Sequence, residues 1–192
     1  KPDRWTEPYR FSIGDITRRP GALINAFAPA FAWAITGSSR VAWGIPQTYR
    51  IDTYDTVGRR WMRIVTDLPE WELTSEDIAQ YKRDYMAQRI PEQDRAHWAR
   101  LLEQLPYPDR LPFFSEILGD PQGRLWVSRY HVPAPQDRAH YDYDVFGPKG
   151  EWLGWLRSEE RLIHIDVGDA YVNRGDEARI VRFGIRETTG KR

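Results

Sequence analysis

The sequence of 192 residues contains no cysteine. Disulfide bonds, thiolate metal sites and cysteine nucleophiles are therefore all excluded. An excess of one charge is also missing, because 28 basic side chains are matched by 28 acidic ones and the formal net charge is zero. A chain without net charge lacks the strong positive field on which most nucleic-acid binding depends, so we expect no nucleic-acid partner.

Long hydrophobic runs are absent as well. The longest is GALINAFAPAFAWAIT at 21–36, which is shorter than the ~20 residues of a membrane-spanning helix and is interrupted by Asn25 and Pro29. We interpret this segment as a buried loop followed by a strand. The alternative is a contact with lipid or with a partner subunit, and the residues assigned to such a contact are Leu23, Ile24, Phe27 and Phe31.

Aromatic residues, in contrast, are plentiful. Nine tryptophans and ten tyrosines favour pleated sheets and interfaces. Asp120-Pro121-Gln122-Gly123 has the residue preferences of a type I turn and predicts a hairpin between Ile117 and Trp126. Short aromatic and β-branched runs between such turns predict strands at 40–43, 49–54, 59–65, 124–130, 141–146, 151–157, 162–166 and 178–185.

One segment between the strands has helical spacing instead. Thr74 or Ser75 can cap a first helix that has acidic residues in its first turn. Pro91 ends that helix and can open a second one. We interpret both apolar faces as packing surfaces rather than a cofactor site. These faces consist of Ile78, Tyr81, Tyr85 and Met86 in the first helix and of Trp98, Leu101, Leu102 and Leu105 in the second.

An internal repeat relates the strands to one another. YRIDTYDTVG at 49–58 matches YDYDVFGPKG at 141–150, an offset of 92 residues from 49 to 141. Upstream, RVAW at 40–43 aligns with RLWV at 124–127, an offset of 84 residues from 40 to 124. A weaker third copy runs over 163–185. Each copy predicts one antiparallel sheet, and radial repetition of such sheets makes a β-propeller.

At these residues the chain resembles the six-bladed β-propeller proteins of the NHL and regucalcin-like groups, most closely exported bacterial members of unknown activity. Residues 120–127 match their Asp-x-x-Gly-Arg-Leu-Trp-Val hairpin, and 144–150 match the strand end that follows it, except that Gly147 stands where the group has Asp. The resemblance covers 27–187 and implies an all-β fold, a partial propeller-like array of antiparallel four-stranded blades with an inserted helical hairpin. About three blades are present.

The predicted organisation is therefore a single propeller-like domain over 1–192. Blade-like units are expected at about 27–66, 111–158 and 161–187, and the helical insert at about 74–105. Three blades leave two sheet faces without a neighbour, so we expect the chain not to be a free monomer. The helical hairpin, through Trp98 and Leu101, is the candidate cover for one of these faces, and the apolar segment 21–36 for the other.

Residues with catalytic or metal-binding chemistry are few. The four histidines form no pair with the spacing of a metal site. We interpret His164 as a hydrogen-bonded strand residue, and the alternative is a ligand or proton carrier next to Asp166. Asp142 and Asp144 are expected on one strand face, where paired carboxylates can perform acid–base chemistry or bind calcium. Pairing with an arginine such as Arg138 is the other interpretation.

The resemblance leaves one enzymatic alternative, a metal-dependent lactonase or hydrolase whose site the missing blades would complete. Regucalcin-like lactonases hold a divalent ion at the propeller axis with acidic and asparagine ligands. The plausible counterparts match no motif of that group in their spacing; they are Asn25, Asn173, Asp166 and Asp169.

The sequence predicts, above all, a non-catalytic scaffold or interaction subunit without a cofactor. Its expected partner is a protein, within a larger complex that can be attached to a membrane. The resemblance to exported bacterial proteins implies a periplasmic or extracellular location.

Overall fold

Short antiparallel strands make up most of this protein. A computed structural model describes residues 27, 31–37, 39–87, 90–131, 140–174 and 177–182. Within them the fold is all-β, with eleven strands in three antiparallel sheets and a pair of helices between the fourth and fifth strands. The predicted fold class is confirmed at this level.

Each sheet is a meander in which strands adjacent in sequence are hydrogen-bonded. The first sheet contains β1 (Ala32–Thr36), β2 (Arg40–Ile45), β3 (Arg50–Tyr54) and β4 (Arg60–Val65). The second contains β5 (Phe114–Gly119), β6 (Leu125–Arg129), β7 (Tyr141–Phe146) and β8 (Trp152–Ser158). The third contains β9 (Arg161–Ile165), β10 (Asp169–Arg174) and β11 (Glu177–Arg182).

The strand register confirms the internal repeat. Val41 lies opposite Tyr54 in the first sheet, and Leu125 lies opposite Phe146 in the second. Adding the offsets of 84 and 92 residues to the first pair gives the second pair. The two sheets are therefore copies of one unit, and a position in one has a defined equivalent in the other.

Asp120 fixes the hairpin between β5 and β6. One of its carboxylate oxygens accepts the backbone N–H groups of Gln122 and Arg124, both at 2.9 Å. The other accepts the indole N–H of Trp126 at 3.1 Å. The N–H of Gly123 closes the predicted turn on the Asp120 carbonyl at 3.0 Å, and its φ of +86° is one that glycine adopts readily.

Gly147 lies beside the carboxylate of Glu151. A Cβ at this position would lie 2.2 Å from a carboxylate oxygen of Glu151. The other oxygen of Glu151 accepts the backbone N–H of Lys149 at 3.0 Å. In the turn that begins at Asp55, the aspartate makes this kind of bond itself, to the N–H of Val57 at 3.0 Å. Glu151 thus supplies from the end of its turn the carboxylate that other turns carry at their start.

The three sheets stack face to face in chain order. We call the two sides of a sheet its front and rear faces, such that the rear face of the first sheet packs on the front face of the second, and the rear face of the second on the front face of the third. The first contact joins Ala32, Ala34, Ala42, Ile51 and Ile64 to Phe114, Ile117, Leu125, Val127 and Phe146. The second joins Trp126, Tyr143 and Val145 to Leu162, Ile165, Ala170 and Val172.

The first and second sheets approach most closely at their first strands. A Cβ at Gly119 of β5 would lie 2.1 Å from the carbonyl oxygen of Ile35 in β1. The N–H of Gly37, just after β1, donates to the Asp120 carbonyl at 2.8 Å. Convergence of the first strands is expected for blades around one axis. The propeller arrangement itself stays a prediction.

The helical hairpin consists of α1 (Ser75–Ala87) and α2 (Glu92–Gln104). Thr74 is the predicted cap, because its hydroxyl accepts the N–H of Asp77 at 3.2 Å while the Asp77 carboxylate accepts the N–H of Thr74 at 2.9 Å. The buried side of the hairpin packs on Phe27 and Tyr130. That cluster contains no residue of an open sheet face, so the expected cover through Trp98 and Leu101 is not what the hairpin provides.

Truncation of Phe146 tests the contact between the first two sheets. Its ring is buried there and lies 6.1 Å from the ring of Tyr49. Phe146→Ala should lower the free energy of unfolding by about 3–5 kcal/mol, since it leaves a cavity in a packed interface. The measurement is urea denaturation, with Val57→Ala at an exposed turn position as the control. A loss below about 1 kcal/mol would contradict the stacking.

Candidate interaction surface

The front face of the first sheet carries large apolar side chains that no other part of the described chain covers. Trp33 lies opposite Trp43 and Ile35 opposite Val41, across the β1–β2 ladder. Their alternating neighbours in β1 and β2, Ala34 among them, are buried against the second sheet. The exposed fractions are 51% for Trp33, 61% for Ile35 and 40% for Val41. The apolar residues of this front face are Phe31, Trp33, Ile35, Val41, Trp43, Ile45 and Val65.

Three aromatic rings form a row across this face. The ring of Phe31 stacks on that of Trp43 with centroids 5.7 Å apart, and Trp43 stacks on Tyr54 at 6.2 Å with an interplanar angle of 8°. Rings held by one another lose little conformational freedom when a partner covers them. The row is therefore a preorganised surface of the kind found at the centres of protein interfaces.

A buried carboxylate lies among these apolar residues. Asp52 is 1% exposed and sits opposite Trp43 on the neighbouring strand. Its oxygens accept hydrogen bonds from Arg63 at 2.6 Å and from Arg50 at 2.8 Å. Burial acts to raise the pKa of Asp52, but the hydrogen bonds from Arg63 and Arg50 outweigh it and hold the pKa below its usual range. One carboxylate and two partly exposed guanidiniums give this part of the face a positive rim.

The structure separates the residues that the sequence assigned to a partner or membrane contact. Phe31 lies on the front face and is half exposed. Phe27 is fully buried, and its ring lies 5.1 Å from that of Tyr81 in the helical cluster. Leu23 and Ile24 lie outside the described residues. The apolar segment therefore contributes to a core at Phe27, and from Phe31 onward its residues alternate between the exposed front face and the buried rear face.

Sequence reasoning missed Trp33, Ile35 and Val41 as surface residues. In the stretch 31–36 the strand buries its small side chains, such as Ala32 and Ala34, and exposes its large ones. The available signal was apolar character at every position from Phe31 to Ile35, which is typical of a strand covered on both faces. Such a pattern does not identify the face that lacks a neighbour within the chain.

The paired carboxylates Asp142 and Asp144 do share a strand face, the front face of the second sheet. Asp144 accepts hydrogen bonds from Arg129 at 2.6 Å and from the Tyr49 hydroxyl at 3.0 Å. Asp142 accepts one from Arg157 at 2.8 Å, and this contact lowers the pKa of Asp142. Arg138, the pairing partner suggested by sequence, lies outside the described residues. Each of the two carboxylates is thus paired with an arginine of a neighbouring strand, Asp144 with Arg129 and Asp142 with Arg157.

A cleft of about 240 Å³ lies beside Asp144, between the first two sheets. Its polar groups bind one another, since the hydroxyl of Tyr49 donates to the Asp144 carboxylate. Burial, and after it the negative charge of Asp144, raises the pKa of Tyr49 far above its usual value, so this phenol stays protonated. The walls are formed by Tyr49, Thr66, Leu68, Arg129, Asp144, Phe146 and Trp152.

The candidate metal ligands do not form a metal site in the described part of the chain, and two of them make hydrogen bonds within one turn. Among the described residues, no group of three or more histidine and acidic side chains is arranged to hold a metal ion. Asp166 accepts the backbone N–H of Val167 at 2.7 Å and helps to close the turn between β9 and β10 with Asp169. Asn25 lies outside the described residues, and of Asn173 the structure gives the backbone in β10.

Two further observations bear on function. In the part of the chain that the structure describes, no helix is both long and apolar enough to cross a membrane. No protein-family model matches the chain, and no curated protein matches it in sequence.

The two lowered carboxyl pKa values predict a sensitivity to acid. A carboxylate whose pKa is lower in the folded than in the unfolded chain stabilises the fold above the unfolded pKa, and this stabilisation is lost as the pH falls through the folded pKa. For Asp52 and Asp142 the free energy of unfolding should therefore decrease below about pH 4. Denaturation between pH 2 and 7 measures this.

Asp142→Asn is the informative variant in that experiment. It should be less stable than the parent chain at pH 7 and should lose less stability on acidification, with Asp67→Asn at an exposed position as the control. If the free energy of unfolding changed with pH equally in Asp142→Asn and in the parent chain, the contact with Arg157 would not contribute to the acid sensitivity.

Proposed function

We propose that this protein is a non-catalytic interaction subunit that binds a protein partner through the front face of its first sheet. The observation that supports this most directly is the inverted burial of β1 and β2, where Ala34 and Ala42 are buried while Trp33 and Ile35 are exposed. Contiguous exposed apolar patches are rare on soluble monomers and mark interaction sites. Covering them gains about 25 cal/mol per Å² of apolar surface.

The shape of the surface supports a protein rather than a small molecule as the partner. The front face is a sheet surface that spans β1 to β4, and the row formed by Phe31, Trp43 and Tyr54 lies across it rather than around a cavity. Arg50 and Arg63 border it with partly exposed guanidiniums. Tryptophan, tyrosine and arginine are the residue types that dominate binding energy at protein interfaces.

A charge among the apolar residues of the front face tests the proposal. Ile35→Glu should leave the chain folded, because the side chain points away from the packed core, and should abolish the binding of an apolar dye and association with the partner. Circular dichroism and thermal unfolding monitor the fold, and chemical cross-linking with mass spectrometry locates the contact. The matched control is Val57→Glu, at an equally exposed apolar position in the β3–β4 turn. Cross-links that map to other surfaces, unchanged in Ile35→Glu, would refute the proposal.

A further inference from the structure

The sheets of this protein are joined by one type of contact, used twice. The rear face of the first sheet packs on the front face of the second, and the rear face of the second packs on the front face of the third. Two faces of the described sheets have no such neighbour. They are the front face of the first sheet and the rear face of the third.

The repeat shows what covers a front face in this molecule. With the offset of 84 residues, Val41 and Trp43 of the first sheet correspond to Leu125 and Val127 of the second. Leu125 and Val127 are fully buried under the rear face of the first sheet. The exposed Val41 and the half-buried Trp43 of the first sheet thus occupy positions that another sheet covers completely in the second.

The buried carboxylate on each front face can be compared in the same way. Asp52 corresponds to Asp144 with the offset of 92 residues. Asp144 accepts a hydrogen bond from the hydroxyl of Tyr49, which belongs to the sheet stacked in front of it. Within its own sheet Asp144 is held by Arg129, as Asp52 is by Arg50 and Arg63, so the hydroxyl from the sheet in front is the contact that Asp144 has in addition. The front face of the first sheet therefore has both the apolar and the polar features of a face built to receive a sheet.

The rear face of the third sheet also carries aromatic and apolar side chains. Tyr171 lies between Ala170 and Val172 in β10, and both of these pack on the second sheet, so Tyr171 points to the rear. Its ring lies 5.4 Å from that of its ladder partner His164, and the neighbouring Ile163 is 41% exposed. Aromatic and apolar side chains are thus available at both ends of the stack.

Building on the proposed function, we infer that the partner is a second copy of this chain, bound head to tail, with the rear face of its third sheet covering the front face of the first sheet. This arrangement repeats the established contact between sheets. A single kind of partner then covers both open faces, whereas a foreign sheet would cover one of them. In the stacking order, β9 of one copy comes to lie against β1 of the other, with Tyr171 and His164 near Trp33.

The geometry of the stack sets the number of copies. The first strands of the first two sheets converge, so that these sheets fan out from one edge. A head-to-tail contact generates a ring if its rotation closes and an open filament if it does not, and the inference is the closed case. Rings of such sheets contain roughly four to eight units. Six is the multiple of three in that range, and each copy contributes three sheets. The expected assembly is therefore a closed pair.

The oligomeric state and two charged variants test this assembly. Light scattering and sedimentation of the isolated chain should give a concentration-independent mass of about twice 22.6 kDa. Val41→Glu on the front face and Ile163→Glu on the rear face should each remain folded and sediment as monomers. A mixture of the two variants should regain the dimer, because one of its two contacts then has both original faces. Val57→Glu is the control and should stay dimeric.

A cross-linking measurement keeps the test valid if the charged variants misfold. The chain contains no cysteine, so Val41→Cys and Ile163→Cys each introduce a single thiol. A short bismaleimide should join Val41→Cys to Ile163→Cys when the two are mixed, and neither variant to itself. Joining of Val41→Cys to itself would indicate a front-to-front dimer and overturn the head-to-tail inference.

The outcomes separate this inference from the proposed function. A monomeric chain whose front face still binds a different protein overturns the second copy as partner and leaves the interaction role standing. A mass that grows without limit overturns the closed pair. A monomer that binds no apolar dye and is indifferent to Val41→Glu overturns both.

Discussion

A sheet with apolar side chains on both faces has to be covered on both sides, and the rest of this structure depends on that constraint. The second sheet meets it in β6 and β7, since Leu125 and Val127 are buried on its front and Trp126 and Tyr143 on its rear. The first and third sheets exist in their observed positions because each covers one of these faces. The first sheet has the same two-sided composition, but its own front face is uncovered in the described chain.

Carboxylate–guanidinium contacts fix the strands within this layered core. A buried carboxylate is tolerated when it is paired, and removal of one partner leaves an uncompensated charge that is strongly destabilising. Asp52 contacts Arg63 on the adjacent strand β4, and Asp144 contacts Arg129 on β6. These contacts join neighbouring strands in a defined register and add to the register that the buried faces specify. Their energetic role explains the aspartates without an assignment to catalysis.

Local signals in the sequence predicted most elements of the fold. The turn at Asp120, the cap at Thr74 and the register from the two repeat offsets are each determined by residues close in sequence or by self-similarity. The strand β10 was missed, because its six residues include Asp169 and Asn173, which are uncommon in strands. An open sheet face and a buried start of the segment 21–36 were both expected from the sequence. The residues that form the open face, Trp33, Ile35 and Val41, were not identified, since their exposure depends on which elements meet in space.

The close approach at Gly119 has a consequence for how this sequence can vary. Any side chain there would meet the backbone of β1 at Ile35, which cannot move aside as a flexible side chain can. The outer strand β8, in contrast, carries Trp152 and Leu153 more than half exposed. Tolerance to substitution should therefore increase from the first strand of a sheet, such as β5, to its last strand, such as β8. Related sequences should therefore differ most in outer strands such as β8. Sequence similarity should persist longest in the first strands of the sheets, such as β1 and β5.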